Sequence, residues 1–372
     1  MEVFKLLEVC EVYQPKTISK KELKDDGKYK VYGANGVIGF YEKFNHEESE
    51  VLLTCRGATC GAVNVSEPFS WINGNAMVVK PIDNLLTRNY IKYFLQTIDK
   101  KSVITGAAQP QITRSSLEKL KIPVPSLKEQ KKIVERLDKI YENIDKLNED
   151  LTENIKNSKS LFFSFLNETF RSNSSEDLIE LEKLSIYISR GLQPKYTDKS
   201  KTLVINQRCI RDNQINFEVG RYHDQNIKKV SDDKKIQIGD ILINSTGVGT
   251  LGRVAQVTEL PSSDVTVDTH VTIFRPNFNI LNKEFTNWLF IYLENLIEKM
   301  GVGASGQTEL RREDLKNMKI INPPNEKTQQ DISDKLNNLK NPYDNYLRHK
   351  EDLIIKYSML RKSILNKEFS YE

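Results

Sequence analysis

Apolar and polar residues alternate in two rhythms along the chain, and each rhythm occurs twice. Short runs rich in β-branched and aromatic residues come first in each half: Val31 to Phe40, Val51 to Cys55 and Met77 to Lys80, then Leu203 to Asn206, Ile241 to Asn244 and Val271 to Arg275. Bounded by Gly, Asn and Pro, such runs predict strands. Asn89 to Ile98 and Lys283 to Lys299 are helical in pattern and occupy equivalent places. The period then lengthens. Leu127, Ile133, Leu137, Ile140, Ile144, Leu147, Leu151 and Ile155 recur mostly at four and three residue steps, the seam of a coiled coil. That stripe predicts a helix from about 127 to 168, on the order of 60 Å long. A similar stripe runs through Ile332, Leu336, Leu339, Tyr343, Leu347, Ile354, Tyr357, Leu360 and Ile364, so the two helices can pack together, antiparallel. Pro342 lies inside it, which predicts a break or kink near Asn341.

The halves are copies of one plan. Val51-Leu52-Leu53-Thr54-Cys55-Arg56-Gly57 has the outline of Ile241-Leu242-Ile243-Asn244-Ser245-Thr246-Gly247. Gly106 to Ile112 leads to Leu117-Glu118-Lys119-Leu120-Lys121-Ile122 and then Pro123 and Pro125, as Ala304 to Leu310 leads to Leu315-Lys316-Asn317-Met318-Lys319-Ile320, Pro323 and Pro324. The predicted fold class is α+β, with two similar globular domains joined by two long helices. The boundaries read as a first domain over 1–125, a first long helix over 126–170, a second domain over 171–324 and a second long helix over 325–372.

Two domains also suit 372 residues, with 38% hydrophobic and 28% charged side chains. No apolar run approaches the roughly 20 residues that cross a bilayer, and the start Met1-Glu2-Val3-Phe4-Lys5 lacks a signal-peptide layout, so a cytoplasmic location and no membrane partner are expected. Four cysteines and four scattered histidines predict neither a disulfide framework nor a metal site. The net charge of +4 requires any phosphate-binding charge to be local.

Catalytic signatures fail at the residues that would do the work. Gly247 to Val254 has the glycines of a phosphate loop, but Arg253 and Val254 stand where Lys and Ser or Thr are needed. Asn322-Pro323-Pro324-Asn325 lacks the aromatic residue of a base-flipping methyltransferase loop. Both prolines there, like Pro123 and Pro125, read as hinges that stop a strand before a helix. What remains are polar loops able to contact base edges or phosphate. In the first half these hold Arg56, Asn73, Asn75, Gln109, Gln111 and Arg114. In the second they hold Lys195, Tyr196, Arg208, Arg211, Asn244, Thr246, Gln307, Arg311 and Arg312, with Arg190, Asn206 and Gln207 in the same loops.

The junction "strand, Pro-x-Pro, x-x-Glu-Gln, long helix" is the most specific mark. It runs from Leu117 to Pro125 with Glu129-Gln130, and from Leu315 to Pro324 with Gln329-Gln330. Over nearly the whole chain the sequence resembles the specificity subunit of type I restriction-modification systems. Thr328 departs from that pattern, standing where the first copy has Glu. The resemblance implies a non-catalytic subunit with two target-recognition domains, each reading one part of a bipartite site on double-stranded DNA. The helices would act as ruler and docking surface. Catalysis would belong to partners: two modification subunits that carry S-adenosylmethionine, and restriction subunits that use ATP and Mg, with no cofactor in this chain. The residues by themselves also fit a coiled-coil adaptor whose globular ends bind proteins; a fused methyltransferase or nuclease is the other alternative, and it would require the catalytic loops that are incomplete here.

Overall fold

The computed structural model describes residues 2–82, 84–106, 110–171, 174–302 and 308–370. They form two compact units, Met1–Glu153 with His349–Glu372, and Asn154–Arg348. Both long helices are present, Leu127–Phe170 and Glu326–Phe369, each of 44 residues and each divided between the units.

The first unit contains a four-stranded antiparallel sheet in the order Cys10–Tyr13, Ala76–Pro81, Val51–Thr54, Val63–Val65. All four residues of Val51–Thr54 are buried, as expected for a central strand covered on both faces. A smaller sheet holds the hairpin Tyr29–Gly33 and Gly36–Tyr41, with Trp71–Ile72 added in parallel. The run predicted from Val31 to Phe40 is thus two strands, turning at Gly36, whose φ of 89° suits glycine. A third pairing joins Glu2–Lys5 to Lys121–Val124. Pro123 lies inside this strand opposite Val3 rather than ending it, which a two-stranded ribbon allows because it has no central position.

The second unit repeats the scheme. Ser185–Arg190, Val271–Pro276, Ile241–Asn244 and Val254–Gln256 form the same four-stranded order, and Leu178–Glu180 pairs with Lys319–Ile321. Thr202–Ile205 pairs in parallel with Val265–Val267, as Tyr29–Gly33 does with Trp71–Ile72. The predicted duplication and α+β class therefore hold at the level of strand order.

In each unit three helical segments pack together. In the first, Arg88–Thr97 meets the start of the first long helix and the end of the second: Tyr93 stacks edge-on against Tyr141, and Tyr90 contacts Phe369. In the second, Lys283–Lys299 meets the end of the first and the start of the second: Phe162 contacts Trp288 and stacks on Tyr343 at 4.4 Å. The long helices run antiparallel in both units. Arg136 pairs with Glu368 and Asp145 with Arg361 in one, and Phe162 meets Tyr343 while Phe165 meets Lys335 in the other. The predicted seam is not buried throughout, since Leu147, Leu339 and Leu360 are exposed. The globular helices take much of the stripe at its ends.

Pro342 does not break the second helix, which continues from Glu326 to Phe369. Proline removes the hydrogen bond to the carbonyl four residues earlier, that of Asn338. Asn338 is exposed and can be hydrated, while Leu336 and Tyr343 on either side are held by packing. The Thr328 departure is equally mild. Thr328 N–H donates to the Asn325 side chain just as Glu129 N–H donates to Ser126, so both positions serve the helix cap.

A half-buried acid in the second unit gives a pH test. Glu294 Oε2 accepts from Asn213 Nδ2 at 2.7 Å, and burial raises its carboxyl above the usual carboxylate value. The folded state then favours the protonated acid. Its stabilising contribution is present below the unfolded-state pKa and is lost as pH rises through the raised folded value. Glu294→Gln should therefore be more stable than the parent at pH 7 and about equal to it at pH 4 in urea unfolding. An unchanged difference across that range would refute the assignment.

Candidate nucleic-acid interface

In both units the central buried strand ends in a glycine turn, and a second loop is pinned against it. Ile112 N–H donates to Cys55 O at 3.0 Å, with bridges between Arg56 and Gln111 and between Thr105 and Gln111. Leu310 N–H likewise donates to Ser245 O at 2.9 Å, with bridges between Thr246 and Glu309 and between Val302 and Glu309. A third segment joins from the neighbouring strand, where Cys55 N–H donates to Asn75 O, and Ser245 N–H to His270 O. The equivalent positions are therefore Arg56 and Thr246, Gln111 and Glu309, Asn75 and His270. The scaffold repeats, but the side chains differ.

Arg56, Asn75, Gln111 and Arg114 are exposed near this turn or on the loop pinned to it. Asn73 is not available in the same way. It is 5% exposed, and its Oδ1 accepts from Ile18 N–H and Trp71 Nε1. Asn244 is fully buried and its Nδ2 donates to Gln207 O at 3.0 Å. Both asparagines hold loops in place, a role that turn chemistry gives to this residue type. Thr246 is half-buried and lies between His270 Nδ1 and Gln207 Oε1. Exposed Arg311 and Arg312 start a short helix next to the pinned loop, and Arg208 is exposed in the turn after Thr202–Ile205. Arg211 is exposed beside Asp212. Tyr196, next to Lys195, packs under Arg221, whose guanidinium lies 3.6 Å from its ring, and its side chain also meets Asp268, two residues before His270. Gln109 and Gln307 lie outside the described residues.

His270 and Arg221 are additions that the loop composition did not single out. Aligning the repeats through Asn75 would have found His270. Arg190 is tied up by Glu309, at 2.5 Å, and by Leu310 O. All four cysteines are free and buried, and among the described residues no group of His, Cys, Asp and Glu is arranged to hold a metal. No helix among them is long and apolar enough to cross a membrane.

Residues 1–157 and 175–354 match the type I restriction modification DNA specificity domain. The chain belongs to that family. A putative type I restriction enzyme specificity subunit from Haemophilus influenzae is 27% identical over 123 residues, 32% of this chain and 31% of that protein. The EcoprrI specificity subunit from Escherichia coli is 27% identical over 111 residues, 30% of this chain and 27% of that protein. These alignments span less than two thirds of either relative. The fold also recurs at low identity. A chain from a structure on complex assembly and conformational transition of the type I R-M system has a TM-score of 0.76 at 16% identity, covering 98% of this chain and 96% of that one. The HsdS subunit from Thermoanaerobacter tengcongensis gives 0.51 at 15%, covering 99% and 96%.

Proposed function

We propose that each unit of this specificity-domain chain reads one half of a bipartite double-stranded DNA site, without catalysing a reaction itself. One observation carries the reading: the same loops are pinned at the same strand end in both units while their side chains differ. A repeated scaffold with divergent contact residues is what two different half-sites require. The paired helices are the proposed spacer. Their length is on the order of one to two turns of DNA, so the gap between half-sites should be short. Two modification subunits supplying S-adenosylmethionine chemistry, and restriction subunits using ATP and Mg, are the proposed partners, acting in the cytoplasm.

Sequencing the methylated sites in cells that carry the chain with its modification subunit tests this. Two fixed half-sites separated by an unspecific gap are expected. A single uninterrupted motif would refute the bipartite reading, and no motif at all would favour a protein-binding adaptor.

A further inference from the structure

In the second unit a cleft of about 340 Å³ lies beside the turn after Ile241–Asn244, lined by Gln207, Thr246, Thr269, His270 and Thr308 with Arg190. Inside it runs a short relay. Thr246 Oγ1 lies 2.7 Å from His270 Nδ1 and 3.3 Å from Gln207 Oε1. Gln207 is anchored by its main chain as well, because the fully buried Asn244 donates to its carbonyl. Arg190 is already committed to Glu309 and Leu310 O, which leaves the two ends of the relay, together with the Thr269 and Thr308 hydroxyls, as polar groups lining the cleft.

A hydroxyl has one proton, and that constrains both ends together. If Thr246 donates to Gln207 Oε1, His270 Nδ1 must carry a hydrogen toward Thr246. Gln207 then keeps its NH2 as a donor, and His270 Nε2 is an acceptor. If Thr246 donates to His270 instead, the Gln207 amide turns over and donates to Thr246. Its oxygen becomes the free acceptor, and His270 Nε2–H the donor. In either of these two arrangements the relay presents one donor and one acceptor. In the major groove, adenine shows an acceptor and a donor on a single base, N7 and N6–H2. Guanine shows two acceptors, cytosine one donor, and thymine one acceptor with a methyl group.

We propose that this cleft reads the adenine of one A·T pair, with Gln207 and His270 contacting the base edge and Thr246 as the positioning residue that couples them. The proposal rests on the DNA-reading function assigned above.

Thr246→Val keeps the shape of the side chain and cuts the relay, while the main-chain bridge of Thr246 to Glu309 does not depend on the hydroxyl. Thr246→Ser keeps the hydroxyl. Methylated sites would be sequenced in cells carrying the parent, Thr246→Val or Thr246→Ser with the modification subunit. The expected result is that Thr246→Val loses discrimination about ten- to a hundred-fold at one A·T position in one half-site. The other half-site should stay intact, and Thr246→Ser should match the parent. An unchanged motif with Thr246→Val, at full or uniformly lowered methylation, overturns the proposal, as does relaxation at a G·C position or equal relaxation with Thr246→Ser. Should Thr246→Val abolish methylation, binding of the parent complex to duplexes carrying 7-deazaadenine at single positions decides. Loss of about ten-fold or more at one adenine of that half-site supports the reading, and equal binding at all of them overturns it. A parent chain that specifies no motif would instead remove the DNA-reading function itself.

Discussion

Replacing Asp240 with alanine should lower the stability of the Asn154–Arg348 unit by about 3–5 kcal/mol. Asp240 is 1% exposed and Arg275 8%. The two form a bidentate pair, Nε to Oδ1 and the second guanidinium nitrogen to Oδ2, both at 2.9 Å. Oδ2 also accepts from Gln237 N–H at 2.8 Å. Arg275 belongs to the inner strand Val271–Pro276, so the truncation leaves a buried guanidinium facing a cavity, with the carbonyls of Lys235 and Asp233 and the face of the Tyr187 ring as remaining partners. The cost is that of an unpaired buried charge rather than the net worth of the pair. Changing both residues together, Asp240→Leu with Arg275→Met, should recover much of the loss. Urea unfolding followed by Trp288, with Trp71→Phe to leave a single reporter, measures it. A loss below about 1 kcal/mol in Asp240→Ala would show that water reaches the pair.

Gln130→Leu and Gln329→Leu should each cost about 2–4 kcal/mol, each in its own unit. The two glutamines do the same work. Gln130 is fully buried, accepts from Thr87 N–H at 2.8 Å and donates to the carbonyls of Leu85 and Pro125. Gln329 is 1% exposed, accepts from Asn282 N–H at 2.7 Å and donates to the carbonyls of Ile280 and Pro324. Each side chain ties the start of a long helix to the loop that caps the globular helix. Leucine fills the space but leaves one half-buried N–H and two carbonyls without the amide that holds them. With Trp71 and Trp288 reporting one unit each, Gln130→Leu should shift the first transition and Gln329→Leu the second. Loss of less than about 1 kcal/mol in both would mean that water replaces the amide.

These glutamines show what was legible. The junction was visible twice, as Pro123-Val124-Pro125 with Glu129-Gln130 and as Asn322-Pro323-Pro324 with Thr328-Gln329, because its chemistry is local: a hinge, a cap and one amide that must sit at a fixed offset from the proline. The Glu is not the working residue, and so Thr328 could replace it. The duplication and the antiparallel helices followed from repeat and period, whereas the order of the strands came only from the fold. The roles of Asn73 and Asn244 did not, because a buried asparagine holding a loop and an exposed one reading a base look identical in composition. His270 was passed over because its partners, Thr246 and Gln207, are distant in sequence. At Pro342 the helix does not break as the local rule allowed, since packing at Leu336 and Tyr343 offsets a local cost that no local rule can weigh.

The central claim is that each unit specifies its own half-site, and it is tested by sequencing methylated DNA from cells carrying Arg56→Ala or Arg208→Ala with the modification subunit. Arg56 is exposed in the glycine turn after Val51–Thr54 of the first unit and Arg208 in the turn after Thr202–Ile205 of the second, and neither side chain is bound to another group among the described residues. Relaxation confined to one half-site with Arg56→Ala and to the opposite half-site with Arg208→Ala is the expected result. Both variants altering the same half-site would contradict the account.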